Sequence, residues 1–208
     1  PHFAISRRPA RPPAGRRRSR RLPRGVDDDV GRRRAGDLRL VTGSARPASA
    51  VYLADARQAG EVLAPESVHA VITSPPYPNE KDYTRTTRLE SVLLGFINSK
   101  AELRIFKQQL VRSNTRVVYK GDDDDRWIEH HAGIQRIADV IEARRIELGK
   151  TSGFERLYGR AIRLYFGGMA RHLAGLRNAL CPGAQLAYVV GDQASYLRVM
   201  IRTGQLLA

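Results

Sequence analysis

Residues 68–77 read VHAVITSPPY, an apolar run carried straight into two consecutive prolines. Pro75 and Pro76 each lack a backbone donor and each have φ fixed near −65°. The residue before each proline is pushed toward extended geometry as well. A strand through Val71 and Ile72 therefore has to end at Thr73 or Ser74, and no helix can start there. The chain must leave the sheet as a stiff, extended segment with a hydroxyl before the prolines and the Tyr77 ring after them. The run SVHAVITS lacks strict alternation of apolar and polar residues, the pattern of a strand buried on both faces of a parallel sheet.

The neighbouring pattern extends this reading. SAVYLADA reads as a short apolar strand ending at Asp55, and ARQAGEVLA as a short helix or turn leading back to the Pro-Pro strand. About 15 residues separate the two strands, enough for a compact crossover. Downstream, Leu89, Val92, Leu93 and Phe96 recur at helical spacing. Ser99 and Glu102 form a capping-box pattern ahead of Leu103, Phe106 and Leu110. YKGDDDDRW reads as a polar loop, and Ile134, Ile137, Ala138 and Ile141 mark an amphipathic helix. TSGFERLYG is a break. A long helix then carries Leu164, Tyr165, Gly168, Met169, His172, Leu173, Leu176 and Leu180, ended by CPG at 181–183. AQLAYVVGDQ is a third buried strand. The expected fold class is α/β, a parallel sheet with helices on both faces, and no internal repeat is present.

Residues 1–46 differ in kind. They hold 14 of the 36 Lys+Arg and four of the 21 Asp+Glu, a net +10 of the chain's +15. Arg, Pro and Gly dominate, without helical or strand periodicity, and such a segment buries too little apolar surface to offset its ordering entropy. Two readings stay open: a disordered basic tail, or GC-rich coding sequence read out of frame, which the initial Pro1 in place of Met favours. A transit peptide is disfavoured by the repeated prolines and by Asp27-Asp28-Asp29. The expected organisation is this tail at 1–46 and one domain at 47–208, with a helical insertion at about 98–155.

The charge balance implies a polyanionic partner, most often nucleic acid, through phosphate contacts. Cys181 is the only cysteine, which excludes an intrachain disulfide and a thiolate zinc cluster and suits an intracellular, cytoplasmic setting. No run of about 18 apolar residues suggests a membrane-spanning helix. Asp122 to Asp125 lack the spaced ligands and central Gly of a calcium loop and read as a solvated turn. His130 and His131 are adjacent, which suits a helix start better than a shared metal; no metal site is expected. Trp127 is assigned to packing, and Cys181 has no nearby His to activate it.

Ligands in open α/β sheets gather at the carboxyl ends of parallel strands, which is where Ser74-Pro75-Pro76-Tyr77 falls. A rigid row of acceptors beside a flat ring suits a planar, amine-bearing base, which in duplex DNA must first be flipped out of the stack.

At these residues the chain resembles a family. VITSPPY resembles the catalytic motif of S-adenosylmethionine-dependent DNA amino-methyltransferases, and its Thr-Ser-Pro-Pro-Tyr form resembles the cytosine-N4 branch rather than the adenine-N6 branch. The resemblance covers roughly residues 50–195. It implies a Rossmann-like methyltransferase sheet in which Ser74 and Pro75 grip and polarise the amine, Pro76 keeps the turn rigid and Tyr77 stacks on the flipped base. It implies S-adenosylmethionine as cofactor, with Asp55 in LADAR placed to meet its adenine edge; a helix N-cap is the alternative role for that residue. Asn79, Asp82, Tyr83 and Arg85 fall where the family has a substrate-facing loop, beside Glu80, Lys81 and Arg88. DNA is the implied partner, within a restriction-modification system.

The resemblance stops at the donor side. The family's glycine-rich D-P-F-x-G-x-G-T turn has no match: PPAG at 12–15 is a faint echo, GVDDDVG at 25–31 cannot be placed on the acidic ribose strand, and FGGMA at 166–170 lies in a helical pattern that suits packing. The expectation is a partial methyltransferase, incomplete at both ends, that keeps the base-binding half. The competing functions are a nonspecific nucleic-acid-binding protein acting through the basic N-terminus, an inactive remnant, and an RNA or protein amino-methyltransferase.

Overall fold

The computed structural model describes residues 3–6, 36–37, 49–78 and 81–208. The chain divides into two units, His2–Leu53 and Ala54–Ala208. In the first, β1 (Phe3–Ser6), β2 (Gly36–Asp37) and β3 (Ser49–Tyr52) form an antiparallel sheet of order β1-β3-β2. Phe3 lies opposite Tyr52, and Asp37 opposite Ala50. The strand expected from SAVYLADA thus ends at Tyr52 and pairs antiparallel, instead of joining the Pro-Pro strand. The physical reason lies at Asp55, whose carboxylate accepts from Arg57 N at 2.9 Å and caps a 3-10 turn at Ala56–Gln58, ending the extended run. Of the segment read as a disordered tail, only β1 and β2 are described; PPAG and GVDDDVG lie outside the described residues.

The second unit is mixed α/β. Its elements are α1 (Ala59–Val62), β4 (Val68–Thr73), α2 (Tyr83–Thr86), α3 (Arg88–Leu93), α4 (Lys100–Gln108), α5 (Ala132–Glu147), α6 (Tyr158–Leu176), β5 (Leu180–Tyr188), β6 (Gln193–Tyr196), β7 (Val199–Ile201) and α7 (Thr203–Leu207). β4 and β5 pair in parallel, with Val71 opposite Leu186, Ile72 opposite Ala187 and Thr73 opposite Tyr188. β6 and β7 form an antiparallel pair. Every described residue between β4 and β5 is helix, 3-10 turn or loop, including the stretch at 98–155 read as a helical insertion.

α6 is the central element. Ile162, Leu164, Tyr165, Phe166, Met169, His172 and Leu176 are all buried along it, and it packs against α5 and the 3-10 turn Asp124–Ile128. Ile134, Ala138 and Ile141 of α5 fall on one face at helical spacing and are buried, as the sequence suggests. Gly167 lets the turn approach: a Cβ there would sit 1.9 Å from the Asp124 carbonyl oxygen. FGGMA is therefore packing sequence within α6.

The β4–β5 pair is open on one face and only partly covered on the other, where Val71 is buried but Leu186 is 40% exposed, contrary to the expectation for both strands. Val71, Thr73, Leu186 and Tyr188 share one face, by register and by strand alternation. Ala70, Ile72, Gln185 and Ala187 share the other and are all exposed, Ile72 at 80%. No described element covers that face. The register shifts between Val68 and Ala70, so that Leu180 opposes the first and Gln185 the second. This irregularity takes up Cys181-Pro182-Gly183, with Gly183 at φ +77°. CPG thus lies within β5; α6 ends earlier, at Leu176, in a 3-10 turn over Arg177–Ala179.

α4 opens on the Ser99 cap of the expected capping box, while Glu102 reaches one residue past the cap. Ser99 Oγ accepts from Glu102 N at 3.1 Å, and Glu102 reaches back to Asn98 N at 2.9 Å. The apolar residues of the preceding segment behave differently: Leu89, Val92, Leu93 and Phe96 are all exposed, so α3 buries none of its side chains. Trp127 is also more than half exposed, which corrects its assignment to packing.

Candidate functional site

The site is built where β4 and β5 end side by side. Val189 N donates to the Thr73 carbonyl at 2.9 Å, continuing the ladder one step past β4. The Ser74 hydroxyl then donates to the Val189 carbonyl at 3.2 Å. Its proton is thereby committed across the strand ends, and its remaining lone pairs act as acceptors on an exposed side chain. Pro75 and Pro78 are buried, while Pro76 and Tyr77 are half-buried. The stiff segment is therefore anchored at both ends and open in the middle. Tyr77 lies beside the loop after β5: a Cβ on Gly191 would come within 3.8 Å of its ring edge.

The loop after Tyr77 is held in place from below. The Lys81 carbonyl accepts from Asn114 Nδ2 at 2.9 Å, and Asn114 is itself buried. Asp82, buried at the start of α2, accepts from Thr84 N at 3.1 Å, Thr84 Oγ1 at 2.6 Å and Lys107 Nζ at 2.8 Å. Burial alone would raise the Asp82 carboxyl. The Lys107 and Thr84 hydrogen bonds outweigh it and hold the carboxyl below its ordinary range. Its oxygens are thus engaged in fixing the loop. Tyr83 is 42% exposed and Arg85 is exposed beside it. Asn79 and Glu80 lie outside the described residues.

Two buried polar assemblies behind the motif have no counterpart in the sequence reading. In the first, Arg57 joins Asp55 to Asp124. Its Nη2 donates to Asp55 Oδ2 at 2.6 Å, its Nε to both Asp55 oxygens, and its Nη1 to Asp124 Oδ2 at 2.5 Å. Arg171 of α6 completes the set at Asp124 Oδ1, 3.1 Å away. Burial works against the Arg57 charge, but the bonds and charges of Asp55 and Asp124 outweigh it and hold the guanidinium firmly protonated. The Asp122–Asp125 run is therefore a solvated turn only in part, with Asp123 exposed and Asp122 and Asp124 turned inward. Asp122 pairs with Arg112 at 2.8 Å, and Asp124 is 2% exposed. The signal available in sequence was the adjacency of Gly167 and Gly168, which marks close approach of another backbone, though it does not name which.

In the second assembly, His172 Nδ1 lies 2.8 Å from the Ala56 carbonyl and Nε2 lies 2.7 Å from the Tyr188 hydroxyl. A carbonyl can only accept, which assigns the proton to Nδ1 and makes Nε2 the acceptor of the tyrosine proton. Burial holds the imidazole below its ordinary 6.5, against the Ala56 bond and the Asp55 charge. Burial also pushes the Tyr188 phenol up to about 12. His131, by contrast, serves as the N-cap of α5, its Nδ1 accepting from Ile134 N at 3.3 Å.

Among the described residues no group of three or more His, Cys, Asp or Glu is placed to hold a metal ion, and no helix is long and apolar enough to cross a membrane. The sequence-predicted residues separate into two sets. Ser74, Pro75, Pro76 and Tyr77 form one continuous segment at the strand end, of which Ser74 is exposed and Pro76 and Tyr77 are half-buried, whereas Asp55 and Asp82 are locked in ion pairs. The chain matches no family model, no curated protein and no solved structure.

Proposed function

We propose that this chain carries the base-acceptor site of an S-adenosylmethionine-dependent DNA amino-methyltransferase of the cytosine-N4 type, built on a partial Rossmann-like sheet. The observation that carries the reading is the hydrogen bond from Ser74 to Val189. With its proton engaged, the Ser74 hydroxyl offers lone pairs, and an exocyclic NH2 is a donor that fits them. The prolines hold the neighbouring carbonyls rigid beside that hydroxyl, and Tyr77 supplies the stacking surface. In duplex DNA the base would reach this edge only by flipping out, which costs least where it is unpaired. Ser74 and Pro75 orient the amine and polarise it through accepted hydrogen bonds; positioning of this sort supplies much of a transfer reaction's rate.

S-adenosylmethionine would supply the methyl group. The described residues do not fit it. The Asp55 carboxylate, the one residue assigned to its adenine edge, is closed on both oxygens by Arg57. No step of methyl transfer is assigned to this chain's side chains.

The test is binding of the 208-residue chain to two otherwise identical duplexes, one fully paired and one with a single unpaired cytosine. The expected result is a preference of about tenfold for the unpaired cytosine, from one stacked base and its hydrogen bonds. Ser74→Ala and Tyr77→Ala should each erase most of that preference and leave the salt dependence unchanged. Equal affinity of the wild-type chain for both duplexes would remove the reading. It would leave the second one, nonspecific binding through the 14 arginines of residues 1–46, which rests on their charge alone.

A further inference from the structure

The acceptor site depends on where Val189 sits, because the Ser74 hydroxyl donates to its carbonyl. Packing does little to hold that residue. β4 and β5 form a sheet of two strands with one open face, and Val189 itself is 59% exposed. Two strands alone are marginal in water and need packing or further anchors. Such an anchor reaches the strand end from the core. Tyr188, the residue before Val189 and the register partner of Thr73, turns its ring onto His172 of α6, edge to face with centroids 5.7 Å apart. Its hydroxyl donates to His172 Nε2 at 2.7 Å, and His172 Nδ1 donates to the Ala56 carbonyl at 2.8 Å. Ala56 lies in the 3-10 turn that Asp55 caps and Arg57 ties to Asp124. A line of bonds thus runs from the buried ion pairs, through an imidazole that is 2% exposed, to the last residue of β5.

The groups on the elements around that imidazole balance one another. Asp55 and Arg57 belong to the 3-10 turn, Asp124 to the turn before α5, Tyr188 to β5 and Arg171 to α6 itself. Glu61 of α1 is exposed. Two carboxylates thus face two guanidiniums, and burial decides: it disfavours the imidazolium and outweighs the Asp55 charge.

We propose that His172 is a positioning residue of the acceptor site: through Tyr188 it fixes the end of β5 and so holds the Val189 carbonyl where the Ser74 hydroxyl needs it. This rests on the base-acceptor reading above and adds to it the group that keeps the two strand ends in place. Protonation turns Nε2 into a donor, reverses the bond and forces Tyr188 to turn its proton elsewhere. The site is therefore ordered while the imidazole is neutral, and loses order as pH falls below the ordinary 6.5 toward the lower value that burial sets.

The test measures the preference for the duplex with an unpaired cytosine over the fully paired one, for the full 208-residue chain and its variants, at a temperature where melting curves show each of them folded. Taking the ratio cancels the phosphate contacts common to both duplexes. In Tyr188→Phe the ratio should fall about fivefold, the equivalent of one hydrogen bond, with affinity for the paired duplex unchanged. His172→Leu should lose as much. His172→Gln, whose amide oxygen still accepts from Tyr188, should recover part of the loss. In wild type the ratio should fall about threefold as pH drops from about 7 to about 5, and in Tyr188→Phe and His172→Gln it should stay flat. A purely structural role would lower melting temperatures and leave the ratio alone. An unchanged ratio in Tyr188→Phe would therefore overturn the proposal while leaving the base-acceptor reading in place, and so would the same pH slope in wild type and His172→Gln. A wild-type chain that shows no preference at pH 7 would overturn both.

Discussion

Arg57 Nη1 lies 2.5 Å from Asp124 Oδ2, joining two segments 67 residues apart through side chains that are 8% and 3% exposed. The same guanidinium closes over Asp55, and Arg171 takes the other Asp124 oxygen. Removing one member of such a buried set leaves the others as uncompensated charge, which typically costs about 3–5 kcal/mol. Asp124→Ala should therefore destabilise the chain by roughly that amount in urea unfolding. Asp123→Ala, at the adjacent residue but exposed in its pair with Arg126, should stay within about 0.5 kcal/mol of wild type. Equal effects for the two would mean that Asp124 is solvated after all.

Gly167 gives a steric test of the same contact. A Cβ there would stand 1.9 Å from the Asp124 carbonyl oxygen and 2.5 Å from its carbon, both backbone atoms that cannot swing aside. Gly167→Ala should cost about 3 kcal/mol despite the better helix propensity of alanine. Gly168→Ala meets only side-chain atoms, at 3.3 Å, and should cost distinctly less. Paired urea melts of the two variants decide it.

These contacts show where the sequence was readable. The helix at 132–147 and most of the core of α6 follow from apolar spacing, because one-sided burial imposes a 3.6-residue period. Ser74 to Tyr77 at the end of a strand follows from proline chemistry, which acts within two residues. The Asp122–Asp125 run was partly misread because solvated turns and buried ion-pair hubs share a composition; the difference is made by Arg57 and Arg171, far away in sequence. Asp55 was ambiguous for a related reason, since its partner sits only two residues on and the fold decides whether that arginine turns inward. Leu89, Val92, Leu93 and Phe96 keep helical spacing, yet α3 leaves that face exposed, so periodicity there reported helix without reporting burial.

The buried imidazole makes stability depend on pH. His172 is neutral in the folded chain, and burial sets its value below the ordinary 6.5. The unfolded chain therefore binds a proton first as pH falls. The stabilisation is complete above about 6.5 and is lost progressively as pH drops from there toward the folded value. Protonation would also put a proton on Nε2, against the Tyr188 hydroxyl that now donates to it. The melting temperature of wild type should fall between pH 7 and pH 5. In His172→Gln the fall should be shallower, on a lower baseline. A pH profile with the same slope in both would remove His172 as its source.

The two faces of the β4–β5 pair predict opposite responses to neighbouring substitutions. Val71 is packed, whereas Ile72, the next residue along the strand, is 80% exposed on a face no described element covers. Val71→Ala removes buried methyl groups and leaves a cavity, a change that costs about 1–3 kcal/mol. Ile72→Thr keeps the β-branched shape suited to a strand and gives up little burial, so it should stay within about 0.5 kcal/mol of wild type. It should also reduce binding of a hydrophobic dye to the folded chain, because Ile72 is the largest apolar side chain on that open face. Parallel sheets are ordinarily covered on both sides, so a large destabilisation by Ile72→Thr would show that this face is covered in solution. Chemical denaturation of both variants, with dye fluorescence recorded below the transition, separates the outcomes.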